Sequence, residues 1–203
     1  RHCADDQTWL LAEALRLRKC LPRGSRRNLV AFVDIRKAYD TVWRDGLLHK
    51  LWPLGVRGRL WRLCHAFLDS TTARVRVHGN MSDQWHEPNG VRQGAILSPL
   101  EFLVFIDDLN QELERAFPGV ALGSGADAPR VRALMYADDI ALLAESEADL
   151  QRALAVLDVW ARKWHMSFGV GAEKSAVMSF FCAAQIGSSP FMLGGQALPW
   201  VSE

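Results

Sequence analysis

Two apolar runs, Val131 to Tyr136 and Ile140 to Ala144, are separated only by Ala137-Asp138-Asp139. So short a link cannot cross over a sheet, so the two runs can pair only antiparallel. Aspartate favours turns, and the stretch therefore reads as a β-hairpin with two carboxylates at its tip. Adjacent like charges repel, so this pair needs a physical reason to be there.

A similar arrangement stands upstream. Asn28 to Ile35 is a short apolar run with β-branched residues, bounded by polar clusters, and reads as a buried strand. It carries Asp34 at its end, within Phe32-Val33-Asp34-Ile35-Arg36-Lys37-Ala38-Tyr39-Asp40. A carboxylate at the end of a buried strand is costly unless it meets a cation. If the two strands are neighbours, Asp34 and Asp138 converge, with Asp139 beside them, in a hard-oxygen site suited to Mg²⁺. Loop aspartates that merely end strands are the competing reading, and either site alone leaves both open. A third place, Phe105-Ile106-Asp107-Asp108-Leu109, lies where Leu103, Ile106, Leu109, Asn110 and Leu113 recur at helical spacing. Its two carboxylates point in different directions on a helix, and we assign them no metal.

Around these sites the chain alternates between helical and strand patterns. Helix formers fill residues 7–19 and stop at Leu21-Pro22-Arg23-Gly24. Helices are expected near 45–52 and 57–69, and a half-buried strand over 72–78, which alternates as Thr-Ala-Arg-Val-Arg-Val-His. The loop from Glu87 to Leu97 feeds a helix with Ser98 as N-cap, Pro99 at the first position and Glu101 completing a capping box. That helix runs to about Phe117, where Pro118-Gly119 stops it. Ser146 caps another, whose apolar stripe is Leu150, Leu154, Leu157, Ala161 and Trp164. Short strands are expected near 176–181 and 190–193. Strands and helices interleaved in this way make an α+β fold.

The net charge of +1 hides an uneven distribution. Residues 1–78 carry a net +9 and residues 79–203 a net −8. Arg16, Arg18, Lys19, Arg23, Arg26 and Arg27 crowd one stretch, and Arg57, Arg59 and Arg62 another. Solvated helix faces explain such clusters, and so does a track for a polyanion beside a carboxylate site. The four cysteines and six histidines show no ligand spacing, and the thiols read as reduced, intracellular ones. No apolar run approaches the roughly 20 residues of a membrane span. Gly169-Val170-Gly171-Ala172-Glu173-Lys174-Ser175 is not a phosphate-binding loop, because Glu173 stands where glycine must precede the lysine. Both ends of the chain read as cut from a longer polypeptide.

Four ordered motifs carry a resemblance. Asp34-x-x-x-Ala38-Tyr39-Asp40 resembles the first catalytic aspartate motif of reverse transcriptases. Gly90-Val91-Arg92-Gln93-Gly94, continuing to Ser98-Pro99-Leu100, resembles the Gln-Gly…Ser-Pro motif leading into the long palm helix. Tyr136-Ala137-Asp138-Asp139 is similar to the Tyr-x-Asp-Asp box, and Trp164 followed by Lys174-Ser175 to the lysine motif downstream. The wording Gly-Val-Arg-Gln-Gly and Tyr-Ala-Asp-Asp-Ile-Ala-Leu-Leu-Ala is similar to the enzymes of non-LTR (LINE-type) retrotransposons.

The resemblance implies a right-hand polymerase palm, an antiparallel sheet packed on helices, with partial fingers and no thumb, as one incomplete domain over residues 1–203. It implies an RNA-directed DNA polymerase that adds deoxynucleotides to a primer 3′-hydroxyl by two-metal-ion catalysis, with two Mg²⁺ ions that Mn²⁺ can replace. Asp34, Asp138 and Asp139 are the implied metal ligands, and Lys174 joins them as the cation near the departing pyrophosphate. Tyr39, Gln93, Gly94 and Arg36 are the implied nucleotide contacts, with Tyr39 excluding a 2′-hydroxyl by a clash. Arg16, Arg18, Lys19, Arg26, Arg27, Arg57, Arg59 and Arg62 are the expected nucleic-acid contacts. Partners follow: an RNA or DNA template with primer, deoxynucleoside triphosphates, no membrane, and the remainder of a longer polyprotein, with missing fingers, thumb and an endonuclease as candidate parts. The expected location is intracellular, in nucleus or cytoplasm. Intron-encoded or retron-type polymerases would share the chemistry, and a decayed palm that binds nucleic acid without catalysis would share the fold.

Overall fold

Strand β1 (Asn28–Ile35) organises the sheet because both of its faces are covered. Leu29, Val30, Ala31, Val33 and Ile35 are all buried, which is why the segment reads as a continuous apolar run rather than an alternation. The computed structural model describes residues 4–22, 27–69, 71–125, 127–171, 173–181 and 190–201. Helix α1 (Ala4–Lys19) precedes β1, and α2 (Ala38–Thr41), α3 (Arg44–Leu51) and α4 (Gly58–Asp69) follow it. Four two-residue strands come next: β2 (Thr72–Ala73), β3 (Arg76–Val77), β4 (Asn80–Met81) and β5 (Trp85–His86). Then come α5 (Ser98–Ala116), β6 (Val120–Ala121), β7 (Arg130–Val131), β8 (Ala133–Tyr136), β9 (Asp139–Ala144) and α6 (Glu147–Trp164). The last elements are β10 (Phe168–Gly169), β11 (Ala176–Phe180), β12 (Met192–Leu193) and β13 (Gln196–Ala197). Backbone contacts divide the chain into two compact units, Arg1–Arg36 with Asp108–Glu203, and Lys37–Asp107.

The first unit holds a five-stranded sheet in the order β10-β1-β9-β8, with β11 sharing the β10 edge of β1. All of its pairings are antiparallel. β9 runs beside β1 from Leu29↔Ala144 to Asp34↔Asp139, and β8 folds back on β9 from Ala133↔Leu142 to Tyr136↔Asp139. One face buries Val30 and Leu143 against Ala14, with Leu11, Phe32, Leu134 and Ala141 packed around them, so α1 covers that side. α6 packs against β1 and β9. The expected stripe Leu150, Leu154, Leu157, Ala161 and Trp164 is buried, joined by Ala153 and Trp160. The Ser146 side chain accepts the Asp149 N–H at 3.1 Å, as expected of an N-cap, and His165 ends the helix in the left-handed region at φ 58°.

The second unit is helical with two small ladders, β2 with β5 and β3 with β4. Buried Arg44 ties it together. Its guanidinium donates to the carbonyls of Gly90 (2.8 Å), Leu68 (2.6 Å), Asn89 (2.9 Å) and Glu87. Lys50 is also buried and donates to the Phe105 carbonyl. The single half-buried strand expected over 72–78 is instead two short strands in separate ladders, with Val75 and Val77 exposed. Alternation specifies a buried face only where a second layer exists to cover it. α5 starts at Ser98 itself, one residue earlier than expected, because the Glu101 N–H already donates to the Leu97 carbonyl at 2.9 Å. Helices mixed with antiparallel sheet agree with the α+β expectation.

Candidate catalytic centre

In an antiparallel ladder, residues directly opposite one another project from the same face. Asp34 is opposite Asp139, at the ends of β1 and β9, so the two carboxylates share a face. Asp138 lies in the tight turn between β8 and β9, and its carbonyl accepts the Ile35 N–H at 3.2 Å. Ala137 holds φ 52° in that turn, the positive φ that two-residue hairpins demand. Partial burial pushes the Asp139 carboxyl up from its ordinary value, and the like charges of Asp138 and Asp34 push it the same way. Lys174 pulls it back down. Asp139 thus feels the charges of both Asp138 and Asp34.

Lys174 reaches this cluster. Its Nζ is 3.4 Å from Asp34 Oδ2, and the lysine side chain is 63% exposed while that of Asp34 is 20% exposed. Gly171 makes the approach possible, since its carbonyl accepts the N–H groups of Lys174 (2.8 Å) and Ser175 (2.7 Å) in one tight turn. Two residues that the sequence reading passed over hold Asp34 in place. Buried Ser175 accepts the Asp34 N–H at 3.2 Å and donates to the Gly169 carbonyl. Gly169 is opposite Asp34 in the sheet, and a Cβ there would lie 3.0 Å from Asp34 Oδ2 and 3.2 Å from Lys174 Cβ. Glycine lets the lysine and the carboxylate meet. A cleft of ≈ 230 Å³ opens beside the cluster, lined by Leu11, Phe32, Tyr136, Asp139 and Lys174 among others.

Tyr39, Gln93 and Gly94 all lie in the unit Lys37–Asp107. The Tyr39 ring stacks on Phe102 with centroids 5.2 Å apart and planes 15° apart. Gln93 donates from Nε2 to Asp40 Oδ1 at 3.1 Å, and the N–H groups of Gly90 and Val91 donate to the Val42 and Tyr39 carbonyls, both at 2.8 Å. Gly90 holds φ +87°, and a Cβ there would sit 2.8 Å from the Asp40 carbonyl oxygen, so only glycine fits. Arg36 belongs to the sheet unit. It is exposed, and with Asp158, Arg162 and Phe168 it lines a separate cleft of ≈ 500 Å³. Asp107 and Asp108 are both inside α5, and Asp108 Oδ1 accepts the Trp160 Nε1–H at 2.7 Å. That contact ties α5 to α6.

The basic residues part company. Arg18 is corrected: it is only 2% exposed and donates to Asn28 Oδ1 (2.8 Å), the carbonyls of Ala121 (2.9 Å) and Arg27 (3.0 Å), and Glu145 Oε1 (3.0 Å). A guanidinium so committed is a fastener of the fold and offers nothing to a phosphate. Arg16 pairs with Glu13 at 2.6 Å, and Arg27 pairs with Glu147. Lys19, Arg57, Arg59 and Arg62 are exposed. Arg26 lies outside the described residues, as do Arg23, His2, Cys3 and Cys182.

Residues 3–196 match the reverse transcriptase (RNA-dependent DNA polymerase) family. The chain belongs to that family. It is 33% identical over 169 residues to the RNA-directed DNA polymerase from mobile element jockey of Drosophila melanogaster, covering 79% of this chain and 17% of that protein. It is 28% identical over 170 residues to the retrovirus-related Pol polyprotein from type-1 retrotransposable element R2 of Popillia japonica, covering 84% of this chain and 27% of that protein. These relatives agree with the non-LTR retrotransposon resemblance, and the chain spans well under a third of either. A truncated apo telomerase from Candida tropicalis superposes with a TM-score of 0.59 over 92% of this chain and 36% of that one, at 17% identity, a likeness of fold.

Reverse transcriptases generally use divalent metal ions, which sets a test for these residues. Among the described residues no three or more His, Cys, Asp or Glu side chains close into a metal-binding group. Mg²⁺ is commonly held by one or two carboxylates, with water and substrate phosphates completing its shell. Asp34 and Asp139 on one face, with Asp138 at the adjoining turn, provide that all-oxygen donor set. Their mutual repulsion is the kind that a bound cation relieves. The residues fit such an ion. Among the described residues no helix is long and apolar enough to cross a membrane.

Proposed function

We propose that the chain is the carboxylate-bearing part of an RNA-directed DNA polymerase that adds deoxynucleotides to a primer 3′-hydroxyl, with the palm and part of the fingers falling within residues 1–203. One observation carries the reading: Asp34 stands opposite Asp139 at paired strand ends, with Asp138 in the turn beside them and Lys174 Nζ 3.4 Å from Asp34. Family membership supports it. Asp34, Asp138 and Asp139 would hold two Mg²⁺ ions, for which Mn²⁺ can substitute. Such ions supply a more acidic primer hydroxyl and neutralise the leaving phosphates.

The remaining roles belong to side chains. Lys174 is exposed enough to swing from Asp34 toward a departing pyrophosphate, where its ammonium offsets charge or gives up a proton. The Tyr39 ring, braced by Phe102, is a rigid obstacle to a 2′-hydroxyl. Gln93 and Gly94 sit in an exposed loop where backbone can come close to a nucleotide, and Arg36 offers a cation to it. Arg16, Lys19, Arg27, Arg57, Arg59 and Arg62 are left to meet template and primer phosphates, in nucleus or cytoplasm, alongside further parts of a longer polyprotein.

Primer extension on an RNA template with Mg²⁺ and deoxynucleotides tests the reading, run on this chain and on a longer polypeptide containing it. Asp138→Asn should abolish extension while leaving template-primer binding largely intact. Extension that survives both Asp34→Asn and Asp138→Asn would sink it.

A further inference from the structure

From Gly46 to Leu68 the chain carries no Asp or Glu, yet it carries Lys50, Arg57, Arg59 and Arg62. Lys50 is buried and bonded to a carbonyl. The three arginines are exposed, and among the described residues none is held by a carboxylate. Arg59 and Arg62 are three residues apart on α4 and so are neighbours on its surface.

Beside Arg57 stands an aromatic that the core does not use. Trp52, at the end of α3, is 50% exposed. Its position is fixed all the same. Its carbonyl accepts the Gly55 N–H at 3.1 Å and, more weakly, Arg57 Nε at 3.4 Å. The Arg57 guanidinium lies 5.4 Å from the centre of the Trp52 ring. Trp61 meets the same ring edge-on at 6.2 Å, and is itself held by His65 at 5.3 Å. Ordered indole surface flanked by unneutralised arginines is the combination that grips a strand with unstacked bases: planes for the bases, cations for the phosphates. A duplex keeps its base faces in its own stack, so it presents phosphates here and nothing for the ring.

We propose that Trp52, with Arg57 laid against it and Arg59 and Arg62 on the helix whose Trp61 meets it, forms a stacking and phosphate site for single-stranded nucleic acid. The proposal rests on the polymerase reading and adds to it a strand contact outside the four motifs. A protein partner is the rival occupant, because Leu60, Leu63 and Phe67 on α4 line an apolar groove. The acid-free run of arginines favours a polyanion for the Trp52 side.

The test is binding of a labelled oligouridine of about 12 nucleotides to the full 203-residue chain, without deoxynucleotides, across a salt series. Trp52→Ala should weaken binding roughly 5- to 150-fold for each base that loses its stack, with the salt slope unchanged. Trp52→Leu, which keeps an apolar plug but no flat ring, should behave like Trp52→Ala, and Trp52→Phe should recover much of the affinity. Arg59→Gln with Arg62→Gln should lower the salt slope by about 1.4. A blunt duplex of equal length should bind all three Trp52 variants alike. Parent-like affinity in Trp52→Ala or Trp52→Leu overturns the proposal and leaves the surface to a protein partner. An equal loss toward duplex also overturns it, because the ring then only supports the fold. Extension by a chain whose strand binding ignores Trp52 removes this site and spares the polymerase reading. Extension by Asp138→Asn removes that reading and leaves the binding result to stand alone.

Discussion

The two units spend their cations differently. In the sheet unit many of them are matched to carboxylates: Arg16 to Glu13, Arg18 and Arg130 to Glu145, Arg27 to Glu147, Arg152 to Asp149, Lys163 to Glu112 and Lys174 to Asp34. In the unit Lys37–Asp107 the buried cations Arg44 and Lys50 rest on carbonyl oxygens, and Arg57, Arg59 and Arg62 stay in water. A run of basic residues in sequence therefore does not say whether a ligand can use them. What decides is whether the fold carries a carboxylate to the same place. Arg18 and Arg59 look alike in the sequence, and Glu145, 127 residues away from Arg18, sets them apart.

The contrast can be broken by stability measurements. Arg44→Met should cost about 3–5 kcal/mol in urea denaturation, because four carbonyl groups lose their donor. Arg18→Met should cost less, about 2–3 kcal/mol, since Glu145 is 37% exposed and keeps Arg130. Adding Glu145→Gln should then recover part of the loss. Equal costs, or no recovery, would mean that a guanidinium held by carbonyls alone and one that also holds a carboxylate are not different devices here.

A second measurement sharpens the functional side of the same unit. Tyr39→Val should admit ribonucleotides more readily, by about 1–3 kcal/mol of lost discrimination. Phe102→Ala should act in the same direction and more weakly, since it removes the brace and leaves the ring. Unchanged discrimination in Tyr39→Val would show that the ring is no gate.

The smallest expected effect concerns Glu101, whose carboxyl is pushed up mainly by burial, with Ser98 and Arg44 opposing. Its folded pKa lies above the ordinary value of about 4.5. Below that value both folded and unfolded forms hold the proton and nothing is lost. As pH rises through it, the unfolded form ionises first and stability falls, until the folded carboxyl ionises too. Glu101→Gln should therefore raise the melting temperature at neutral pH, by on the order of 1 °C, and the gain should vanish below about pH 4.5. A gain that persists in acid would assign the effect to packing.

How far the sequence could be read follows from where each signal is stored. β1 and α6 were legible because their own residues carry a buried run and an apolar stripe. Asp34 and the Asp138-Asp139 pair were legible because a carboxylate at the end of an apolar strand is locally anomalous. The parts of Gly169 and Phe102 were not, because their work is done on residues far off in the chain, and Ser175 stood out only as the neighbour of Lys174, with nothing to tell of its bond to Asp34. A two-residue strand such as β10 has no periodicity to detect. The alternation over 72–78 was legible and misleading, since pattern cannot report whether a covering layer exists.

β1 sits mid-sheet between β9 and β10–β11, so every neighbour of Asp34 in the sheet comes from more than 100 residues downstream. Such pairings are slow to form, because a long loop of chain must be closed before any contact rewards it. A chain made from its N-terminus onward holds β1 as an unpartnered apolar segment until β9 and β11 exist. From the making of β1 until β9 and β11 follow more than 100 residues later, the polypeptide therefore has an adhesive strand to keep from its neighbours.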